Sequence, residues 1–326
     1  RYLADFILFL TIYTFHTKIM VILLGSMGYV GQLFGQYFDR KGVAWTGISG
    51  RSFDLGAKDA ILQTLKDSKA TAVVNCAGYT GKPNVDACEL DKGNCLDGNA
   101  VLPSAIREIC GDLGIPWGHV SSGCIFALER PGGGGWREDD APNFSFRHPP
   151  CSFYSGTKAL GEEVLGYREV ETSGADWPSW QHESEAEGYV WRLRIPFDQN
   201  DSPRNYLSKV QRYENLLQAR NSLSQLEDFI AACWACFEKQ VPFGIYNVTN
   251  PGSVTTSEVV DLIVKHGANN KDYKFFDNEE EFMAKAAKTP RSNCVLDTSK
   301  LEGVGINMRP VHEALDWSLQ NWRPEA

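Results

Sequence analysis

A glycine-spaced turn directly after an apolar run constrains the fold of this chain more than any other feature. Residues 18–24 (KIMVILL) form a short continuous apolar run, as expected of a buried parallel strand. The turn that follows has the spacing GxxGxxG and leads into an apolar-periodic stretch. Such glycines allow a tight turn, close backbone approach to a pyrophosphate, and packing of the next helix on the strand. The sequence therefore predicts a dinucleotide-binding unit. Its predicted cofactor contacts are Gly25, Gly28, Tyr29, Val30 and Gly31.

Strand and helix patterns alternate further along the chain. Strands are predicted over residues 44–48, 71–75 and 117–121, and a helix over residues 102–113. This alternation predicts an α/β fold, a Rossmann-type doubly wound parallel sheet that binds its ligands at the carboxyl ends of the strands. Ala77 and Gly78 follow the third strand, and we expect them at the cofactor.

The choice of cofactor depends on the end of the second strand, where NAD-binding units carry an acidic residue. Here the strand ends in Ser49-Gly50-Arg51, without an acid. Arg51 offers a guanidinium to a 2′-phosphate, which favours NADP (NADPH) over NAD. The alternative is that Arg51 is an ordinary solvated surface arginine. Asp54 is a weaker candidate for contacting the adenine amino group.

Tyr154 and Lys158 are spaced to lie on one face of a helix, whose pattern extends over residues 158–165. A nearby ammonium lowers the pKa of a tyrosine, so Tyr154 is a candidate acid or base, and Lys158 is also a candidate for holding the nicotinamide ribose. In an extended segment Ser122 and Cys124 project to the same side and face one substrate together. The alternative for Cys124 is a buried apolar thiol.

Residues 201–209 (DSPRNYLSK) place a Pro-Arg-Asn turn before a helix predicted over residues 206–218. A helix start of this kind suits an anionic ligand. Lys209 lies one turn from Tyr206, and it is either directed at that ligand or solvated, as most helical lysines are.

Composition limits the function classes. The 326 residues carry a net charge of −9, which disfavours nucleic acid or an anionic membrane surface as a partner. Nine scattered cysteines indicate reduced thiols in a cytoplasmic protein, and Cys233 and Cys236 are interpreted as core thiols of a helix over residues 226–237. No His/Cys cluster has zinc spacing, so no metal is predicted.

The apolar run over residues 6–15 is too short to span a bilayer. Residues 1–17 are interpreted as an extension of unknown role, and a membrane anchor is the alternative.

Several longer stretches resemble one known family. They are residues 75–89, 123–126, 142–144, 153–158, 203–209, 244–252, 290–293 and 296–301. They are similar to the extended short-chain dehydrogenase/reductases of the dTDP-4-dehydrorhamnose reductase type, and among these to the nucleotide-rhamnose synthases (3,5-epimerase/4-reductases). The resemblance extends over nearly the whole chain. It implies NADPH-dependent conversion of a UDP- or dTDP-linked 4-keto-6-deoxyglucose to the corresponding L-rhamnose.

The resemblance also implies roles for individual residues. Ser122, Tyr154 and Lys158 match the reductase triad, with Ser in place of the more usual Thr, and Cys124 and Lys209 match the epimerisation pair. The implied substrate contacts are Thr80, Asn84, Asn205 and Arg291. Two other functions stay open: a reductase without epimerase activity, and a non-catalytic NADP-binding regulatory subunit. A homodimer also stays open.

The predicted organisation is an NADP-binding domain over residues 18–196, completed by a return strand near residues 244–250. Residues 197–326 mostly form a smaller, discontinuous α/β substrate domain. Residues 169–188 are a polar, acidic insertion expected to form a surface loop. Residues 129–150 are glycine- and proline-rich and are expected to form a mobile cover over the substrate.

Overall fold

The structure is a computed structural model that describes residues 19–49, 57–82, 84–269 and 271–324. The first strands in chain order are β1 (Met20–Leu24), β2 (Ala44–Ile48), β3 (Ala72–Asn75), β4 (Trp117–Ser122), β5 (Tyr167–Val170), β6 (Ser179–His182) and β7 (Gly188–Leu193). They are followed by β8 (Pro196–Phe197), β9 (Asn215–Leu216), β10 (Arg220–Asn221), β11 (Ser224–Gln225), β12 (Gly244–Asn247), β13 (Val254–Thr255) and β14 (Lys274–Phe275).

The α-helices in the same ranges are α1 (Tyr29–Lys41), α2 (Ala57–Ser68), α3 (Lys92–Leu96), α4 (Leu102–Leu113), α5 (Phe153–Val164) and α6 (Tyr206–Arg212). They continue as α7 (Leu226–Glu238), α8 (Thr256–Lys265), α9 (Glu279–Lys285), α10 (Ser299–Gly303) and α11 (Val311–Gln320). Val85–Glu89 and Gly123–Ile125 form short 3-10 helices, and Asp97–Val101 forms a π-helical turn. Each helix within the described ranges is too short or too polar to cross a bilayer.

Six strands form one parallel sheet in the order β12-β7-β4-β3-β1-β2. The chain moves outward from β1 to β2 and then returns to the other side of β1 to form β3. The carboxyl ends of β1 and β3 therefore flank a topological switch point, the usual place for a ligand in an open α/β sheet. The predicted Rossmann-type sheet is confirmed, and so is the return strand, which is β12.

Apolar side chains cover both faces of this sheet. Alternate residues of β1 belong to different cores: Val21 and Leu23 pack with α1 and α7, whereas Ile22 and Leu24 pack with α2 and α4. A strand that is buried on both faces must be apolar throughout, which explains the continuous run in the sequence.

Two tryptophans on opposite faces of the sheet each occupy the space above a glycine of the neighbouring strand. A Cβ added to Gly118 of β4 would lie 2.0 Å from the Trp191 ring of β7, and one added to Gly188 of β7 would lie 2.3 Å from the Trp117 ring of β4. Trp117 and Gly188 are also direct partners in the strand register. These rings therefore pack flat against the sheet only because both glycines lack side chains.

A smaller mixed region follows the sheet in sequence. Its apolar core is separate from the two cores of the sheet and includes Phe197, Leu207, Val259 and Leu315, contributed by β8, α6, α8 and α11. The short strand pairs β10–β13 and β9–β14 belong to the same region. The division of the chain into domains at residues 196 and 197 stays a prediction.

Two predicted elements differ from the structure. The helix expected over residues 206–218 ends at Arg212, because Tyr213 is extended (ψ 138°) and the chain then forms β9, which pairs with β14. The insertion at residues 169–188, expected to be a surface loop, contributes to the antiparallel hairpin β5–β6, and its Trp180 is buried in the core. The segment over residues 1–17 lies outside the described residues.

Candidate active site

A cleft of about 1160 Å³ opens at the carboxyl edge of the sheet, between the sheet and the smaller region. The residues predicted from the sequence that line it are Gly28, Tyr29, Val30, Ala77, Gly78, Thr80, Asn84, Ser122, Cys124, Tyr154, Lys158, Lys209 and Arg291. The structure therefore brings the predicted reductase and epimerase residues and part of the predicted cofactor set around one cavity. Arg51, on which the choice of NADP depends, and Asp54, the candidate contact for the adenine amino group, lie outside the described residues.

The glycine turn has the geometry of a phosphate-binding loop. Gly25 has a φ of +76°, and a Cβ added to Gly31 would lie 2.1 Å from the carbonyl oxygen of Gly25, so the turn is too tight for side chains. Gly28 precedes α1 in an extended conformation, and no side chain caps the first turn of the helix. Gly28, Tyr29 and Val30 at the start of α1 line the cleft, and an uncapped helix start of this kind suits the pyrophosphate of a dinucleotide. Gly25 and Gly31 shape the turn without lining the cavity.

Ser122 and Cys124 are brought together by a turn and not by an extended strand. Strand β4 ends at Ser122, and Gly123–Ile125 forms a 3-10 helix in which Ser122 Oγ accepts a hydrogen bond from the Cys124 amide (3.2 Å). The expected alternation of an extended segment is therefore wrong, although both residues line the cleft. Burial raises the pKa of Cys124, and contacts with Ser122 and Ser155 and the charges of Arg194 and Lys158 oppose this shift.

Tyr154 and Lys158 lie on α5, which begins at Phe153 and not at the predicted residue 158. The Ser152 side chain caps this helix by accepting a hydrogen bond from the Ser155 amide (3.0 Å). Burial raises the pKa of Tyr154 well above its usual value, the charge of Cys124 adds to this, and contact with Ser122 opposes it. The pKa of Tyr154 is therefore raised and not lowered as expected, and Tyr154 is a protonated phenol at neutral pH.

Lys158 contacts a buried network that the sequence analysis missed. Asn75 Oδ1 accepts a hydrogen bond from the Ala77 amide (2.9 Å), which directs Asn75 Nδ2 to donate to His119 Nδ1 (2.9 Å). The proton of neutral His119 is therefore on Nε2, which lies 3.5 Å from Lys158 Nζ, while Nζ donates to the Val120 carbonyl (3.1 Å). An N–H directed at Nζ favours the uncharged amine, and burial likewise lowers the pKa of Lys158.

Cationic side chains of the smaller region reach the opposite wall of the cleft. The Arg204 guanidinium donates to Thr80 Oγ1 and to the Gly81 carbonyl, both at 3.2 Å. Lys209 lines the same cavity from α6, and burial together with the charge of Arg204 lowers its pKa. A lysine with a lowered pKa releases its proton more readily, which suits a general acid.

The remaining predicted substrate contacts differ in their placement. Arg291 lines the cleft and pairs through both terminal nitrogens with the Asp86 carboxylate (2.7 and 2.8 Å), and Asn84 Oδ1 accepts from the Asp86 amide. Asn205 does not line the cleft. Its side chain is fully buried, accepts from the Leu207 amide and donates to the main chain and side chain of Asp198. Asn205 is therefore a helix cap, and its prediction as a substrate contact is wrong.

Cys233 and Cys236 are buried in α7, as predicted for core thiols. In the described part of the chain, no group of three or more His, Cys, Asp or Glu side chains is arranged to hold a metal ion.

Comparison with known proteins identifies relatives of this fold and site. Residues 18–172 match the family described as RmlD substrate binding domain. A bifunctional dTDP-4-dehydrorhamnose 3,5-epimerase/dTDP-4-dehydrorhamnose reductase from Arabidopsis thaliana is 31% identical over 300 residues, which cover 90% of each chain. A trifunctional UDP-glucose 4,6-dehydratase/3,5-epimerase/reductase from the same plant is 31% identical over 90% of this chain. The chain spans only 40% of the length of that trifunctional relative.

Solved structures share the fold. A UDP-rhamnose synthase from Acanthamoeba polyphaga mimivirus superimposes with a TM-score of 0.80 at 21% identity, covering 93% of this chain and 99% of that one. A dTDP-4-dehydrorhamnose reductase from Bacillus anthracis, solved in complex with NADP, superimposes with a TM-score of 0.73 at 18% identity, covering 92% and 98%.

The fold, the cleft and these relatives together define an oxidoreductase built from a Rossmann-type sheet and a smaller mixed region. The chain belongs to the RmlD-type extended short-chain dehydrogenase/reductases, a family of nucleotide-sugar 4-keto reductases and epimerases of rhamnose biosynthesis.

Proposed function

We propose that this protein is an NADPH-dependent 3,5-epimerase/4-reductase that converts a nucleotide-linked 4-keto-6-deoxyglucose to the nucleotide-linked L-rhamnose. One observation carries the proposal. Cys124 and Lys209 line the same cavity as Ser122, Tyr154 and Lys158. A reductase alone has no use for a thiol and a second acid beside its catalytic serine.

The epimerisation requires a base and an acid on opposite sides of the sugar. The 4-keto group acidifies the protons on C3 and C5, so the Cys124 thiolate can remove each of them in turn. The C–H bond breaks, an S–H bond forms, and the electron pair moves onto the C4 oxygen as an enolate. Lys209, which reaches the cavity from the smaller region, then protonates the carbon from the other face and inverts it. Before the second carbon reacts, Cys124 releases its proton to solvent and Lys209 takes up a proton from solvent, which restores the base and the acid.

The reduction uses the other residues of the cavity. Bound NADPH supplies a hydride for C4. Ser122 holds the C4 oxygen by hydrogen bonding, and Tyr154, which is protonated at neutral pH, donates its proton to that oxygen. Lys158 lies one helical turn from Tyr154 and can contact the ribose of the cofactor. NADPH is preferred here because the second strand ends without an acidic residue.

The first experiment incubates the protein with NADPH and UDP- or dTDP-4-keto-6-deoxyglucose in deuterated water. Absorbance at 340 nm reports oxidation of NADPH, and NMR reports deuterium in the product. We expect an L-rhamnose product that carries deuterium at C3 and C5. Cys124→Ala should abolish this exchange and still reduce a 4-keto-L-rhamnose nucleotide that is supplied already epimerised. Cys151→Ala is the matched control, because this half-buried thiol does not line the cavity and both activities should persist.

The alternatives give different results. Oxidation of NADPH without deuterium at C3 or C5 would identify a reductase that requires an epimerised substrate. Binding of NADPH with no turnover of either nucleotide sugar would favour a non-catalytic regulatory subunit.

A further inference from the structure

The thiolate that the proposed epimerisation needs lies in a site that disfavours negative charge. Cys124 is only 7% exposed, and burial raises its pKa. A buried anion requires a cation or several hydrogen-bond donors nearby. The charges around Cys124 therefore decide whether it can act as a base.

We propose that the Arg194 guanidinium is the fixed positive charge that stabilises the Cys124 thiolate, which makes Arg194 a positioning residue for epimerisation. This inference rests on the function proposed above, in which Cys124 removes protons from the sugar.

Arg194 is a buried arginine without a carboxylate partner. It is 5% exposed, and among the described residues it forms no ion pair. Its Nη2 donates to Asn221 Oδ1 (2.5 Å) and to the Ser292 carbonyl, and its Nε is buried without any hydrogen-bond partner. A buried charge with spare donors is costly unless an anion compensates it.

The neighbouring Arg192 is a buried arginine whose positive charge is fully compensated by a carboxylate. Arg192 is fully buried as well, but its Nε and Nη2 donate to the two carboxylate oxygens of Glu162 (3.0 and 2.8 Å). Arg192 and Arg194 are two residues apart, on β7 and directly after it. The chain therefore neutralises one guanidinium and leaves the other positive beside the cleft.

Arg194 lies against the backbone that carries Cys124. A Cβ added to Gly123 would lie 3.5 Å from Arg194 Cδ, and Arg194 and Cys124 both line the cavity. The other thiol near Arg194 is Cys294, which is fully enclosed and donates its proton to the Gly123 carbonyl (3.4 Å). Cys294 is therefore held as a neutral thiol, and Cys124 is the thiol that can ionise at the cavity.

Few other groups can compensate Cys124. Among the described residues, the titratable and charged side chains whose charges couple to that of Cys124 include Tyr154, Lys158, Cys88, Cys151 and Arg194. Of these only Lys158 and Arg194 are bases. Burial lowers the pKa of Lys158, and its Nζ already contacts Val120 and His119. An arginine stays charged at every pH that a protein tolerates, so Arg194 provides the constant charge.

The test titrates Cys124 directly. The rate of alkylation by iodoacetamide is followed against pH, and mass spectrometry of the peptide that contains Cys124 separates it from the other eight thiols. In Arg194→Gln we expect the pH midpoint of alkylation to rise by about one unit or more, the usual effect of removing an opposite charge at close range. Arg194→Lys keeps the charge and should restore most of the shift. Arg220→Gln, which changes an exposed arginine near Asn221, should leave the midpoint unchanged.

A second variant tests the same inference in case Arg194→Gln fails to fold. Asn221→Asp leaves Arg194 in place and puts a carboxylate where Asn221 Oδ1 now accepts its hydrogen bond. This pairing neutralises the guanidinium, so the midpoint of Cys124 should rise as it does in Arg194→Gln. Melting temperatures and NADPH binding confirm that each variant is folded.

The outcomes separate this inference from the proposed function, because alkylation needs no sugar substrate. An unchanged midpoint in folded Arg194→Gln or Asn221→Asp would overturn the role of Arg194. Equal loss of deuterium exchange in Arg194→Lys and Arg194→Gln would show that Arg194 only links Asn221 and Ser292. A shifted midpoint in a protein that exchanges no deuterium into the sugar would overturn the proposed epimerase and, with it, the catalytic purpose of the pairing.

Discussion

The protonation state of the Lys158 side chain is subject to two opposing influences. In the proposed reduction Lys158 acts as an ammonium at the cofactor ribose, whereas burial and the Nε2–H of His119 favour the neutral amine. The hydrogen bonds of Asn75 favour the neutral amine, because they fix the proton of His119 on Nε2, the nitrogen that is directed at Lys158. A single amide two residues before Ala77 therefore influences the charge of a lysine on a distant helix.

We predict that His119→Phe moves the alkaline limb of the reductase pH profile upward. Without the N–H of His119, the neutral form of Lys158 loses a stabilising contact, so its pKa rises and the ammonium persists to higher pH. A net hydrogen bond of about 1 kcal/mol corresponds to a shift of roughly 0.7 unit. The measurement is kcat/KM against pH, with His312→Phe as a control at an exposed histidine. A limb that stays in place would show that His119 does not tune Lys158.

A second prediction concerns the buried carboxylate of Glu162. Its Oε1 accepts from Ser121 (2.7 Å) and Arg192, and its Oε2 accepts from Trp180 (3.1 Å) and Arg192. Glu162→Gln leaves the guanidinium uncompensated and should lower the free energy of unfolding by about 3–5 kcal/mol. Glu108→Gln, in an exposed pair with Lys58, should change it by about 1 kcal/mol or less. Urea denaturation of both variants compares them, and equal effects would contradict the assigned role of the buried pair.

At the scale of elements, the hairpin β5–β6 joins the polar insertion to the sheet. Trp180 of β6 packs with Trp117, Leu165 and Tyr167, and its indole nitrogen donates to Glu162. The hairpin therefore covers the end of α5 that lies away from the cleft.

We predict that Trp180→Ala lowers the free energy of unfolding by about 3–5 kcal/mol, through the lost burial and the cavity that remains. The control is Gln181→Ala, because this neighbouring side chain is exposed on the other side of the strand. Both free energies of unfolding are measured by urea denaturation. Equal values for the two variants would show that the hairpin is a surface loop that does not stabilise the fold.

The sequence predicts best those strands and helices whose bounds depend on local sequence patterns alone. Strands β1 to β4, the return strand β12 and helices α4 and α7 follow from apolar runs and periodicity, and each is found near its predicted bounds. The hairpin was missed because its one buried residue, Trp180, lies among acidic and polar neighbours. The helix from Tyr206 was predicted too long because its end depends on pairing of β9 with β14, about 60 residues away.

For the whole molecule, we predict that NADPH raises the melting temperature and that Gly31→Ala abolishes this effect. A ligand at 100 times its Kd adds about 2.7 kcal/mol to the free energy of unfolding. The added methyl of Gly31→Ala would meet the Gly25 carbonyl at 2.1 Å and force the phosphate-binding turn to change. Gly111→Ala is the control, since its new methyl would meet only the end of Glu187 at 3.6 Å. Thermal melts with and without NADPH test this, and a preserved shift in Gly31→Ala would place the cofactor elsewhere.

Much of the candidate site could be predicted because its residues belong to short motifs. Tyr154 and Lys158 are four residues apart, and Ser122 and Cys124 two. Arg194 and His119 could not be found in this way. Their significance depends on what surrounds them, namely a missing carboxylate and an amide fixed by Ala77, and such contacts exist only after the chain has folded.

The paired rings and glycines of β4 and β7 have a consequence for how this sheet can evolve. Gly118 and Trp191 share one space, and so do Gly188 and Trp117. An alanine at either glycine is harmful while its tryptophan remains and becomes tolerable once that tryptophan is replaced by a smaller residue. Each pair therefore forms an epistatic unit, in which the order of substitutions decides which intermediate sequences survive. Homologous sheets should therefore not combine a side chain at the glycine position with a tryptophan at its partner position.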